Sequence, residues 1–108
     1  MTKAVFTGPD EHALVAALEA EGIEVVVIPD VANRPALEDA GIIDADLFVL
    51  TDTAQATSIP IAKTMNEDVR VVVYTTDSLP DFVSGQEVLA VDPALLDAET
   101  VAEELAHG

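Results

Sequence analysis

The segment DLFVLTDTAQATSIPIAKTMNEDVRVVVY, residues 46–74, decides the fold. It holds two apolar runs, Asp46–Leu50 and Val69–Tyr74, with a helical stretch between them. Runs without polar alternation read as strands covered on both faces, which is the habit of parallel sheets. The helix is placed from about Ala56–Ser58 to Asn66, with Ser58, Ile61, Ala62 and Met65 on its apolar face. That start leaves Pro60 in the first turn; deeper in a helix a proline costs about 3 kcal/mol. Thr51-Asp52-Thr53 and Thr75-Thr76-Asp77 close the two strands.

The same alternation continues in both directions. Toward the N-terminus, Lys3–Thr7 is a short apolar strand stopped by Gly8-Pro9. A helix follows over His12–Glu21 with Leu14, Ala17 and Leu18 on one face. Asp10-Glu11 stands at its start, where acid complements the dipole, and Gly22 ends it. Glu24–Ile28 is a β-branched second strand broken by Pro29-Asp30. Asn33–Ala40 forms a short helix with Asn33 as N-cap, Pro35 in the first turn and Gly41 as the stop. Toward the C-terminus, Leu79–Val83 is read as one helical turn closed by Gly85. Glu87–Val91 is a fifth strand, and Asp97 caps a last helix carrying Ala98, Val101, Ala102 and Leu105 on one face.

Strands alternating with helices predict one α/β domain over residues 1–108: a three-layer, Rossmann-like parallel sheet of about five strands with helices on both faces. In such sheets ligands bind beyond the carboxyl ends of the strands, near the switch point. That rule selects Thr7, Gly8, Asp10, Asp30, Thr51, Asp52, Thr53, Thr75, Thr76 and Asp92 without any motif. Gly8, Asp10, Asp30, Thr51, Asp52 and Thr75 are the binding candidates carried forward. No catalytic or metal-ligating set is assigned.

Composition narrows the partners. The 108 residues include 21 Asp and Glu against 4 Lys and Arg, a formal charge of −17. Only Lys3, Arg34, Lys63 and Arg70 could meet phosphates, which argues against nucleic acid or an anionic membrane as partner. Aromatics are 4 %, so the core must be aliphatic. Without cysteine there is no disulfide, thiol catalysis or Cys-ligated zinc. Met1–Phe6 has no apolar run of the secretory type, and no stretch approaches the ~20 residues that span a bilayer. The expected location is the cytoplasm, with no membrane insertion. The acids are spread along the chain rather than gathered in a tail. So much like charge strains a compact state in ordinary buffer, and molar salt, with a screening length of roughly 3 Å, removes the strain. The balance therefore reads as that of a salt-in halophile.

Leu37-Glu-Asp-Ala-Gly-Ile-Ile-Asp-Ala-Asp-Leu-Phe-Val-Leu-Thr-Asp52 continues through Ile61-Ala62-Lys63, Asn66 and Asp68-Val69-Arg70-Val71-Val72. This pattern resembles the N-terminal Rossmann domain of the regulator-of-potassium-conductance (RCK, or TrkA-N) family. The resemblance covers roughly residues 3–92 and is most specific over 37–73. It implies a nucleotide-sensing fold with strand order 3-2-1-4-5, NAD or an adenine nucleotide as ligand, and a homodimer serving potassium transport. The sequence departs from the family at its first loop. There the family has G-x-G-x-x-G, which lets backbone approach a pyrophosphate. Here only Gly8 is kept, and Pro9, Asp10 and Glu11 stand where phosphate would lie. Pro29 occupies the usual place of the ribose-binding acid, with Asp30 beside it. Thr51 matches, whereas Gln55 and Thr57 replace the polar pair that follows.

Three readings stay open at this point. The first is a non-enzymatic ligand-sensing domain with its ligand over Gly8, Asp30, Thr51 and Thr75. The second is a protein-interaction module that has lost nucleotide binding. The third is a Mg²⁺-dependent or receiver-like domain using strand-end carboxylates such as Asp10 and Asp52. A receiver also needs a lysine after strand five, where this chain has Asp92-Pro93. Acids at turns have a simpler account as well, because aspartate bonds its own backbone there. His12 is expected to face solvent, and Tyr74 to lie at the cleft or on the core rim.

Overall fold

A computed structural model describes residues 2–29, 31–76 and 88–107. Five strands form one all-parallel sheet: β1 (Lys3–Thr7), β2 (Glu24–Ile28), β3 (Leu47–Leu50), β4 (Arg70–Tyr74) and β5 (Val88–Val91). Four helices are described: α1 (Leu14–Ala20), α2 (Arg34–Ala40), α3 (Ser58–Met65) and α4 (Ala98–His107). Short 3₁₀ turns precede β3 at Ile42–Asp44 and α3 at Thr53–Gln55. The expected turn at 79–83 and its stop at Gly85 lie outside the described residues, as do Asp77 and Glu87.

The strand order is 2-1-3-4-5, not the expected 3-2-1-4-5. β1 pairs with both β2 and β3, so β2 is an edge. The exposure pattern follows from this order. Leu47, Phe48, Val49 and Leu50 are buried along all of β3, which requires cover on both faces and a strand on each side. In β2, Glu24 and Val27 are exposed and only Ile28 is buried. This is the flavodoxin-like order, whose switch point lies between β1 and β3.

The helices divide between the faces by the direction of travel. The connection from β1 to β2 runs one way and those from β2 to β3 and β3 to β4 run the other. Right-handed crossovers therefore put α1 opposite α2 and α3. Leu14 and Leu18 of α1 pack with Val101, Ala102 and Leu105 of α4 over Phe6, Val49 and Val72. Leu37 of α2 and Ile59 and Ala62 of α3 pack over Val5, Phe48, Leu50 and Val71 on the other face. The expected α4 face is the one buried. In α3 the buried residues are Ser58, Ile59 and Ala62, while Ile61 and Met65 are half-buried. The sequence reading missed Ile59, which turns toward the sheet because the helix begins at Ser58.

Local signals placed the caps. The Asn33 side chain accepts from the Ala36 N–H at 3.0 Å, and Asp97 accepts from the Thr100 N–H at 2.8 Å. Gly41 ends α2 with φ +81°, a left-handed turn that L side chains resist. α1 starts two residues later than expected, because Ala13 itself adopts a left-handed conformation at φ 56°.

Candidate functional site

The strands end level with one another. Thr7 lies beside Ile28 and Leu50, and Tyr74 beside Val91. The loops that leave these ends form two clefts. One, of about 400 Å³, is walled by Glu11, His12, Asp52, Thr75 and Thr76, with Tyr74 and Pro93. The other, of about 490 Å³, lies toward the β2 edge and is walled by Gly8, Val27, Pro29, Val31 and Gln55. Pro9 and Asp52 line both.

Gly8 is required by close approach. At φ +105° it lies so near β3 that a Cβ would collide with the Thr51 hydroxyl and sit 3.1 Å from the Asp52 nitrogen. The Thr51 hydroxyl donates to the Pro9 carbonyl, tying the β1–α1 loop to the end of β3. Gln55 Oε1 accepts from the Ala32 N–H at 3.1 Å and ties the β2–α2 loop to the same place. Thr7 is fully buried beside these ties, and its hydroxyl has no hydrogen-bond partner among the described residues.

The aspartates are engaged with their own loops. Asp10 Oδ1 accepts from the Leu14 N–H at 2.7 Å, and Oδ2 accepts from Val15 at 3.3 Å. Its carboxylate thus holds the amides at the start of α1, the place a pyrophosphate takes in dinucleotide-binding folds. Asp52 accepts from Ala54 at 2.9 Å, and Asp92 accepts from Ala94 at 2.8 Å. Each is the local backbone bonding that makes aspartate common at turns. Asp30 lies outside the described residues. Of the six carried candidates, Thr51, Asp52 and Thr75 meet in the first cleft, and Gly8 and Asp52 in the second. Asp10 lines neither. Among the described residues no cluster of three or more His, Asp or Glu could hold a metal ion.

Tyr74 belongs to the core more than to the cleft. It is 2 % exposed and donates from its hydroxyl to the Leu96 carbonyl at 2.7 Å. Burial, with Asp97 and Asp92 nearby, pushes its pKa above the ordinary phenol value. His12 is exposed, as expected, and meets the Tyr74 ring edge-on at 5.7 Å between centroids. The hydrogen bonds from Thr100 hold the Asp97 carboxyl below its usual range.

The sequence reading missed Val27 and Val31, which are 48 % and 63 % exposed. No local signal marks them, because exposure of a valine in β2 depends on which strand becomes the edge.

Two residues of the family resemblance, Asn66 and Lys63, sit at the opposite end of the sheet, whereas Thr51 and Asp52 of the same pattern line the clefts. The Asn66 amide donates to the carbonyls of Ile42 and Ala45, each at 2.9 Å. Lys63 donates to the Val69 carbonyl at 3.0 Å. These bonds fix the entries to β3 and β4 and touch neither cleft.

Residues 4–105 match a family of unknown function, DUF7126. The chain belongs to that family. No curated protein matches it. Two solved structures share the fold. A protein from Burkholderia pseudomallei described as pilus assembly-related has TM-score 0.67 and 16 % identity, over 99 % of this chain and 88 % of its own. A protein from Burkholderia thailandensis described as a pilus assembly protein, CpaE, has TM-score 0.69 and 14 % identity, over 99 % and 97 %. At such identity the likeness concerns the fold alone. Among the described residues no helix is long and apolar enough to cross a membrane.

Proposed function

We propose that this chain is a non-catalytic docking domain and that it does not sense nucleotides. The observation that carries this reading is the Asp10 carboxylate on the Leu14 and Val15 amides. A phosphate in the usual pose would have to displace a bound carboxylate and then lie beside Asp10 and Glu11. The resemblance to RCK/TrkA-N modules is compatible with this, because Gly41, Lys63 and Asn66 serve the scaffold, and a scaffold can be kept while a ligand is lost.

Thermal melting in KCl with NAD, AMP or ATP tests the reading. A ligand at a hundredfold over its Kd adds about 2.7 kcal/mol to stability, a visible shift. The expected result is an unchanged melting temperature with all three. A saturable rise, with amide shifts confined to Gly8–Val15, overturns it.

A second reading, a receiver-like phosphoacceptor, is favoured by the 2-1-3-4-5 order and by Glu11, Asp52 and Thr75 sharing one cleft. None of the chain's Lys or Arg lines that cleft. Incubation with Mg²⁺ and acetyl phosphate, followed by intact mass, decides. The expected outcome is no added phosphoryl group; a gain abolished by Asp52→Asn establishes the receiver reading instead.

We also propose that the chain works in high salt. With a formal charge of −17, its melting temperature should climb from low to molar KCl as repulsion is screened. A flat curve removes the halophile reading.

A further inference from the structure

We infer that the two clefts at the carboxyl ends of β1 and β3 together dock an extended segment of a partner protein, one in which an apolar side chain stands beside a lysine or arginine. This rests on the docking reading above and names what is docked.

The apolar half comes from the β2 edge. Val27 and Val31 are about half and two-thirds exposed, and both line the larger cleft with Pro29. β2 is the terminal strand of the sheet, so its outer backbone groups face no strand among the described residues. Natural edges are commonly blunted by lysines, prolines or inward charges. Within Glu24-Val-Val-Val-Ile28 the only charge is at the first residue. An extended segment could therefore lie along this edge with an apolar side chain in the larger cleft, as in strand-addition recognition.

The cationic half follows from charge complementarity. Asp52 lines both clefts and Glu11 the smaller. None of the four Lys and Arg lines either. Lys3 donates to the Gly41 carbonyl, Lys63 to the Val69 carbonyl, and Arg34 faces Glu38 at 3.5 Å. Arg70 lines other clefts, at the opposite end of the sheet. The shared wall is thus anionic without a cation of its own. The Tyr74 and His12 rings close the far side of the smaller cleft and leave room for an alkylammonium or guanidinium group. A second copy would bring the same carboxylates to this wall, so it fits less well than a basic segment.

Selection of a random displayed peptide library on the whole chain tests this, at the lowest KCl that keeps the chain folded. Enriched peptides should place Lys or Arg beside an aliphatic or aromatic residue. Synthetic peptides made from them should bind about tenfold more weakly to Asp52→Asn, the size of one lost charged hydrogen bond. Val31→Lys should weaken them by a similar factor. Asparagine caps a turn as well as aspartate, so Asp52→Asn keeps its bond to Ala54 and should fold. The inference is overturned by no enrichment, by acidic or purely apolar consensus sequences, or by binding that neither variant alters. It is also overturned by a dimer in light scattering that Val31→Lys dissociates, which would make a second copy the occupant. The nucleotide melts separate the two claims. If nucleotides fail to bind and no peptide is enriched, only this inference falls; if nucleotides bind, the docking reading falls as well.

Discussion

Where β3 and β4 begin, side chains reach across the chain to backbone carbonyls and amides. Asn66 bonds Ile42 and Ala45, Lys3 bonds Gly41, and Asp46 accepts from the Lys3 N–H at 2.9 Å. Where the strands finish, Asp10, Asp52 and Asp92 accept from amides no more than five residues away. The first end is stitched by side-chain to backbone bonds between distant residues, and its charges, Asp44, Asp46, Asp68 and Arg70, are of both signs. The second adds these local caps to the long-range ties of Thr51 to Pro9 and Gln55 to Ala32, and of the three aspartates only Asp52 lines the two open clefts. The resemblance to a nucleotide-sensing family spans both ends: Gly41, Lys63 and Asn66 lie at the stitched one, and Thr51 and Asp52 at the one where the clefts open.

Glycine substitutions give the sharpest contrast between the ends. Gly8→Ala should cost about 3 kcal/mol, since a left-handed φ is combined with a clash against the end of β3. Gly41→Ala should cost only about 1 kcal/mol, because its new Cβ meets the flexible tip of Lys3. Urea unfolding of both variants checks this; equal losses would mean that the β1–α1 loop is not anchored as described.

Asn66→Ala should cost about 2 kcal/mol, leaving two part-buried carbonyls without their donor. Asn66→Asp should be no better, since it keeps the acceptor and loses both N–H groups. If either variant melts like the parent, the stitched end owes its order to packing instead.

Tyr74→Phe should cost about 1 kcal/mol through the lost bond to Leu96. The variant also tests pH linkage. The folded-state pKa of Tyr74 is raised, so the neutral phenol is favoured in the fold. Its contribution is fully present below the unfolded value of about 10 and is lost as pH rises through the folded value. Stability should therefore fall in alkali in the parent chain, and that component should be missing in Tyr74→Phe. Asp97 has the opposite sign: its lowered pKa contributes above the unfolded carboxyl value and is lost as acid titrates it.

Much of the layout was legible from residues acting on their neighbours. The uninterrupted runs at Lys3–Thr7, 46–50 and 69–74 announced doubly covered strands. Asn33, Gly41 and Asp97 marked helix ends because a cap is decided within four residues. Pro60 correctly delayed the start of α3. The strand-end rule brought Thr51, Asp52 and Thr75 to one cleft without a motif. The order 3-2-1-4-5, given with the family likeness, failed because β1 pairs with β3 as well as β2, and pairing between strands that far apart in the chain leaves no mark within either one.

By itself, then, the sequence determined the alternation of strands and helices, the parallel sheet, the caps and the acidic surface. All of these depend on periodicity, turn chemistry or simple charge. Only the tertiary structure decided that β1 lies between β2 and β3, that Val27 and Val31 stay in water, and that Asp10 covers the α1 amides. Those outcomes depend on which distant surfaces are buried against each other, and that balance is struck over the whole chain, not within any one segment of it.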